Sequence, residues 1–153
     1  MEWIAALRGS TVGLDTSPLI YYIEEHPVFL AKIKPFFEAA ERSEFRIVTS
    51  FVTLIEVLVH PVREGRPELA EEYRNILLHS PALTAIPLDE GIAEEAAGLR
   101  ARHNLRTPDA IQLATAIRSG ASWFLTNDAG LANLSEISVL VLKQLPEVYQ
   151  NDS

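Results

Sequence analysis

Four acidic side chains stand where solvated surface charge does not explain them: Asp15, Glu56, Asp109 and Asp128. Asp15 closes the apolar run TVGLD, Asp128 follows WFLTN, and Asp109 opens the helical stretch DAIQLATAI. Glu56 lies inside FVTLIEVLV with apolar neighbours on every side, where a free carboxylate would be costly to desolvate unless paired or metal-bound. Most of the 21 acidic residues fall instead on polar helical faces, as Glu24 and Glu25, Glu71 and Glu72, or Glu94 and Glu95 do. Carboxylates gathered at one place resist simultaneous ionisation, so raised pKa values are expected in the ion-free protein, and a cation relieves them. With no cysteine in the chain, any ion must be held by oxygen or imidazole, which favours a hard cation. One or two such ions can orient and deprotonate a water for in-line attack on a phosphodiester without any protein nucleophile. Asp15 and Asp109 are expected as direct ligands, Glu56 and Asp128 as direct ligands or through water.

The elements that must position these acids follow from periodicity. Thr11 to Asp15 reads as a strand, with Ser17 suited to a helix N-cap and Pro18 to the first helical position. Phe29, Ile33, Phe36 and Phe37 mark a helix from Pro27 to about Arg42. Phe45 to Ser50 reads as a strand, followed by a helix that starts near Ser50 and stops at Pro61. Pro67 to His79 is an acidic helix, Leu83 to Leu88 a third strand, and Asp89 to His103 a further helix. Thr107 and Pro108 cap another, which Gly120 terminates; Trp123 to Asn127 and Ile137 to Leu142 are the last two strands.

Short apolar strands alternating with helices describe an α/β domain with a parallel sheet covered on both faces, and in such sheets sites gather at the carboxyl ends of the strands. Asp15 and Asp128 fall there directly. Glu56, about 9 Å along a helix that begins near Ser50, can lean back to the same rim. Asp109 arrives only if its helix runs back down the sheet so that the strand after it is parallel; the Asp89 to His103 segment must then cross obliquely or run upward.

The 153 residues, 48% hydrophobic and 22% charged, suit one domain with an apolar core; its core is expected at about 11–142, with a short N-terminal extension, 1–10. No apolar run is long enough for a membrane span, and MEWIAALRGS lacks the build of a signal peptide, so a cytoplasmic protein is expected. The net charge of −8 argues against a general nucleic-acid coat protein, but a bound cation can itself attract phosphate. Each acid also has a plain structural reading: a dipole-favoured helix start for Asp109, a cap for Asp128, an Asx turn for Asp15, a buried ion pair for Glu56. Arg100, Arg102 and Arg106 precede the Asp109 helix and are candidates for the substrate backbone, though a basic helix end is also simple dipole compensation. Gln112, one turn after Asp109, either supports the site or faces solvent. His60 and His103 sit at helix ends, where imidazole is more often structural.

In order and context, LDTSPLIYYIE, TLIEVL, TPDAIQLATAI and FLTNDAGL resemble the acidic motifs of PIN-domain ribonucleases, and the chain is most similar to the VapC-type toxins of toxin-antitoxin pairs. The resemblance spans Thr11 to about Leu142. It implies metal-binding carboxylates at Asp15, Glu56, Asp109 and Asp128, with Thr126 as a supporting hydroxyl and Ser17 and Gln112 beside the site. It also implies a three-layer α/β/α domain around a mainly parallel five-stranded sheet, Mg²⁺ or Mn²⁺ dependence, RNA as substrate, a cognate antitoxin and a homodimer.

Two rivals remain at this level. A haloacid-dehalogenase-like phosphatase carries a second Asp two residues after the first strand's Asp, where this chain has Ser17, and it needs a lysine near the later acids, where none lies. A catalytically silent PIN fold serving as a binding module is the alternative from another class; the four retained acids argue against it.

Overall fold

The structure, a computed structural model, describes residues 2–147. Five strands form one sheet: β1 (Thr11–Leu14), β2 (Arg46–Ser50), β3 (Leu83–Ile86), β4 (Trp123–Thr126) and β5 (Ser138–Val141). Their order is β3-β2-β1-β4-β5, and every pairing is parallel. Six helices cover it: α1 (Thr16–Ile23), α2 (Leu30–Glu41), α3 (Phe51–Arg63), α4 (Pro67–His79), α5 (Glu90–His103) and α6 (Thr107–Arg118). This is the expected α/β/α arrangement, and β1 and β4 lie side by side at its centre.

Side chains alternate across the central strands as a sheet buried on both faces requires. Val12, Leu14 and Leu125 join the core under α1 to α4 with Leu19, Phe36, Phe37, Val57 and Tyr73. Phe124 faces the other way, into the core built with Ile92, Leu99 and Leu113 of α5 and α6. Gly13 also faces α6, and a Cβ there would collide with the Cβ of Ala116. Its missing side chain lets α6 lie directly on β1, which sets the height of Asp109 above the sheet.

Helix α5 meets the topological requirement by running antiparallel to α6. Only Asn104–Arg106 link the two, Asn104 adopts the left-handed conformation that ends α5, and Gly91 at its start lies against the guanidinium of Arg118 at the far end of α6. Several expected boundaries shift. The second helix begins at Leu30 rather than Pro27, because His26 Nδ1 accepts the Val28 and Phe29 amides in a turn ahead of it, and Arg106 rather than Thr107 stands at the N-cap of α6. The first helix begins at Thr16 with Asp15, not Ser17, as its N-cap, because the Asp15 carboxylate accepts the Thr16 amide. Pro61 does not stop α3, which continues to Arg63; near a helix end a proline forfeits only one hydrogen bond, and its ring here is buried. Residues of the N-terminal segment are also part of the core: Trp3, Ile4 and Leu7 are buried, and Trp3 stacks on Phe36 at 5.9 Å between centroids. Among the described residues no helix is long and apolar enough to cross a membrane.

Candidate functional site

Each acid owes its place to a local rule. Asp15 continues the β1–β4 ladder by one amide, donating to Leu125 O at 2.9 Å, and then turns the chain into α1. Its Oδ1 accepts from Thr16 N at 2.8 Å and its Oδ2 from the Thr126 hydroxyl at 2.7 Å. Thr126, the buried last residue of β4, also accepts the Asp128 amide at 3.0 Å, so one hydroxyl couples Asp15 to the Asp128 turn. Asp128 caps a short 3₁₀ turn, Ala129–Leu131, through the Gly130 amide at 2.8 Å. Asp109 occupies the first turn of α6, where the helix dipole favours an anion.

Glu56 reaches the rim by a different route from the expected one. It is exposed, not buried: α3 turns Thr53, Val57 and Pro61 inward and leaves Ile55, Glu56, Val59 and Val62 on its outer side. The apolar sequence around Glu56 therefore reports an exposed apolar helix face, and desolvation does not single this residue out. What holds its carboxylate is Thr16, whose hydroxyl donates to Oε1 at 2.7 Å.

Beneath these acids lies a buried amide and hydroxyl network. Gln112 is 3% exposed and points inward from α6, so the solvent-facing reading fails. Its Nε2 donates to Thr53 Oγ1 at 2.6 Å and Thr16 Oγ1 at 3.1 Å, and its Oε1 accepts from Ser50 Oγ at 2.7 Å. Thr49 donates to Leu14 O at 2.8 Å and touches Thr53 Oγ1 at the same distance. Ser50 also caps α3 through the Val52 amide. The network ties the ends of β1 and β2 to the first turns of α1 and α3 and to the second turn of α6. Thr16, Ser50, Thr49 and Thr53 were not among the expected site residues; the signal available was a set of small hydroxyls at two strand-to-helix junctions, with Thr49 and Thr53 four residues apart. Ser17 makes no side-chain hydrogen bond among the described residues.

The electrostatics centre on Asp15. Burial pushes its carboxyl above the ordinary aspartate value, the Thr126 and Thr16 hydrogen bonds oppose that, and the charges of Asp109 and Glu56 push it further up. Counter-charge comes from Arg106, whose Nε lies 3.1 Å from Asp109 Oδ2 and Nη2 3.4 Å from Oδ1. Its hydrogen bond to Asp109 and the charges of Asp109, Asp128 and Glu56 all favour the charged form of Arg106. The other two arginines are engaged elsewhere. Arg100 donates to Leu105 O at 2.9 Å, and Arg102 pairs with Glu136 at 3.0 Å. His103 also binds Glu136, at 2.8 Å, while His60 is exposed near the end of α3.

The donor set suits a hard divalent cation in kind: oxygen ligands only, one of them half-buried, with its pKa raised by desolvation and by neighbouring charges that a cation would offset. As the side chains stand, no three acidic or imidazole groups among the described residues are gathered closely enough to hold one ion.

The family model described as the PIN domain matches residues 12–137. The fold is similar to a toxin-antitoxin complex from Klebsiella pneumoniae, at 25% identity and TM-score 0.64 over 86% of this chain and 96% of that one. It is also similar to VapBC2 from Rickettsia felis bound to a promoter DNA fragment, at 18% identity and TM-score 0.67 over 85% and 97%. A third similar structure is VapC20 of Mycobacterium tuberculosis, a sarcin-ricin loop cleaving toxin, at 18% identity and TM-score 0.64 over 84% and 99%. No curated protein matches the chain in sequence.

Proposed function

The chain belongs to the PIN domain family, and from that premise we propose that it is a divalent-metal-dependent endoribonuclease, the toxin of a toxin-antitoxin pair. One observation carries the reading: Asp15, at the carboxyl end of a central strand, is half-buried with both carboxylate oxygens held by Thr16 and Thr126, and like charges beside it help raise its pKa, an arrangement that costs stability and so points to function. Asp15, Glu56, Asp109 and Asp128 would hold Mg²⁺ or Mn²⁺. When bound, the ion supplies a water acidified toward neutral pH and positive charge for the phosphorane-like transition state.

The chain's own residues prepare that chemistry. Thr126 and the Thr16 amide fix both oxygens of Asp15, so its unused lone pairs are aimed before anything binds. Thr16, backed by Gln112, holds one oxygen of Glu56 and keeps a carboxylate on an exposed helix face turned toward the rim. Thr126 also sets the Asp128 turn against Asp15. Pre-aimed ligands lose less freedom on binding, which favours both affinity and a single geometry.

A protein partner is supported by the outer face of α3, where Ile55 is 65% and Val62 67% exposed beside Val59, and by the similar Klebsiella pneumoniae structure described as a toxin-antitoxin complex. A cognate antitoxin, a homodimer and a cytoplasmic setting belong to the same proposal. The test is to incubate purified protein with structured RNAs and Mg²⁺ or Mn²⁺, alongside Asp15→Ala, Glu56→Gln and a chelator control. Wild type alone should cleave; cleavage by all three proteins alike would end the assignment. Growth arrest on expression in bacteria, relieved by Asp15→Ala, separates a toxin from a housekeeping nuclease.

A further inference from the structure

We propose that Arg106 is an exchangeable cation: it neutralises Asp109 while the site is ion-free, yields Asp109 to the divalent ion, and then takes the RNA phosphate. The inference rests on the metal-nuclease reading above and adds a residue with two successive partners.

Three observations point to exchange. Arg106 faces both oxygens of Asp109, so the acid expected to ligate directly is engaged by a side chain of its own helix start. The two partners differ in freedom: the Asp109 side chain is 15% exposed and the Arg106 side chain 78%, so the acid stays while the base can leave with little loss of packing. Secondary structure does not explain the arginine either. Arg106 is the N-cap residue of α6, contributes no side-chain cap, and places positive charge at the positive end of a helix dipole. Only the acids ahead of it make that position favourable.

The arrangement of the acids agrees. Asp109 is one of the acids lying at the rim with Asp15 and Asp128, so a group that holds it also bears on the site as a whole. An ion bound at Asp109 would repel the guanidinium from its place beside that acid. Displaced, that planar fork suits two oxygens of a phosphodiester, and its short tether keeps it at the rim where the scissile group must lie. Arg100 and Arg102 cannot substitute in this geometry, since each is engaged away from the acids.

The exchange predicts opposite effects of one substitution on two ligands. Mn²⁺ binding to the full chain is measured by titration calorimetry, and binding of a fluorescent single-stranded RNA by anisotropy with Ca²⁺ across a salt series, with intact probe verified on gels. Arg106→Gln should bind Mn²⁺ about three- to tenfold tighter, because a competitor and a repelling charge are both removed. It should bind RNA about five- to tenfold more weakly, with a salt slope lower by about 0.7. Arg106→Lys should keep much of the RNA affinity, and Arg100→Gln, a charge-matched control, should change neither. If wild type binds Mn²⁺ and Asp15→Asn does not, yet Arg106→Gln binds Mn²⁺ no tighter or RNA no more weakly, the exchange is wrong while the metal site stands. If Mn²⁺ binding is absent or indifferent to Asp15→Asn, both readings fail.

Discussion

Two clusters of charge on this molecule are built on opposite terms. At the carboxyl rim, Asp15, Glu56, Asp109 and Asp128 are like charges assembled over a buried network of threonines, Ser50 and Gln112, and Asp15 is raised above its ordinary pKa. At the end of α5, Arg102 and His103 meet the single carboxylate of Glu136, which also accepts from Ser135 at 3.0 Å. There the His103 hydrogen bond leads in holding the Glu136 pKa down to about 2. The second cluster is complete in itself and ties a helix end to the segment entering β5. The first leaves negative charge incompletely balanced, although mutation to neutral residues would remove the repulsion. That unbalanced charge, resting on a buried polar network, is what the proposed divalent ion would neutralise.

Substitutions at the two clusters should therefore move stability in opposite directions. Asp15→Asn should lower RNA cleavage by on the order of 10³-fold while leaving the melting temperature unchanged or higher. A lower melting temperature with intact cleavage would reverse the comparison. Gln112→Ala removes the amide that joins Thr16, Thr53 and Ser50, leaves buried hydroxyls short of partners, and should cost about 2 to 4 kcal/mol in urea unfolding. Gly13→Ala should cost about 1 to 3 kcal/mol by forcing α6 off β1, with a secondary loss of activity because Asp109 rides on α6. Glu136→Gln should cost no more than about 1 kcal/mol, as partly solvated ion pairs do, and should leave cleavage intact.

The same contrast has a pH form. Glu136 is depressed when folded, so its contribution is present above the unfolded glutamate pKa and is lost as pH falls toward about 2. The gap in stability between wild type and Glu136→Gln should close over that descent. Asp15 is raised, so it binds its proton more tightly when folded; its contribution is present at low pH and is lost as pH rises through the folded value. Wild type should thus lose stability relative to Asp15→Asn as pH rises through the carboxylate range. Denaturant midpoints across pH would test both, and parallel curves for the two variants would erase the distinction.

Much of the rim was legible because strand ends and helix starts are local events. TVGLD and WFLTN are apolar runs that end on an acid, and parallel topology carries both acids to one edge. Asp109 needed one further inference, that α6 runs back down the sheet, and the antiparallel α5–α6 pair satisfies it. Glu56 shows the limit of pattern reading. Its apolar surroundings read as burial, yet helical phase puts Ile55, Val59 and Val62 on an outer face and Glu56 beside them. Hydrophobic residues alone do not say whether the protein's own core or a partner covers them. Pro61 and Ser17 failed in the same way, since a buried ring and a competing Asp15 cap are matters of neighbours.

By itself, then, the sequence determined the order of strands and helices, the absence of thiolate ligands, and which acids lie next to strand ends, because periodicity and chain adjacency settle those within a few residues. Only the tertiary structure decided that Gln112 of α6 joins Thr16 and Thr53, that Thr126 couples Asp15 to Asp128, and that Arg106, alone of three arginines near the start of α6, turns to the acids. Those contacts join segments up to 111 positions apart. Each depends on how helices dock on the sheet, down to the one missing Cβ at Gly13, and no local pattern records such a distance.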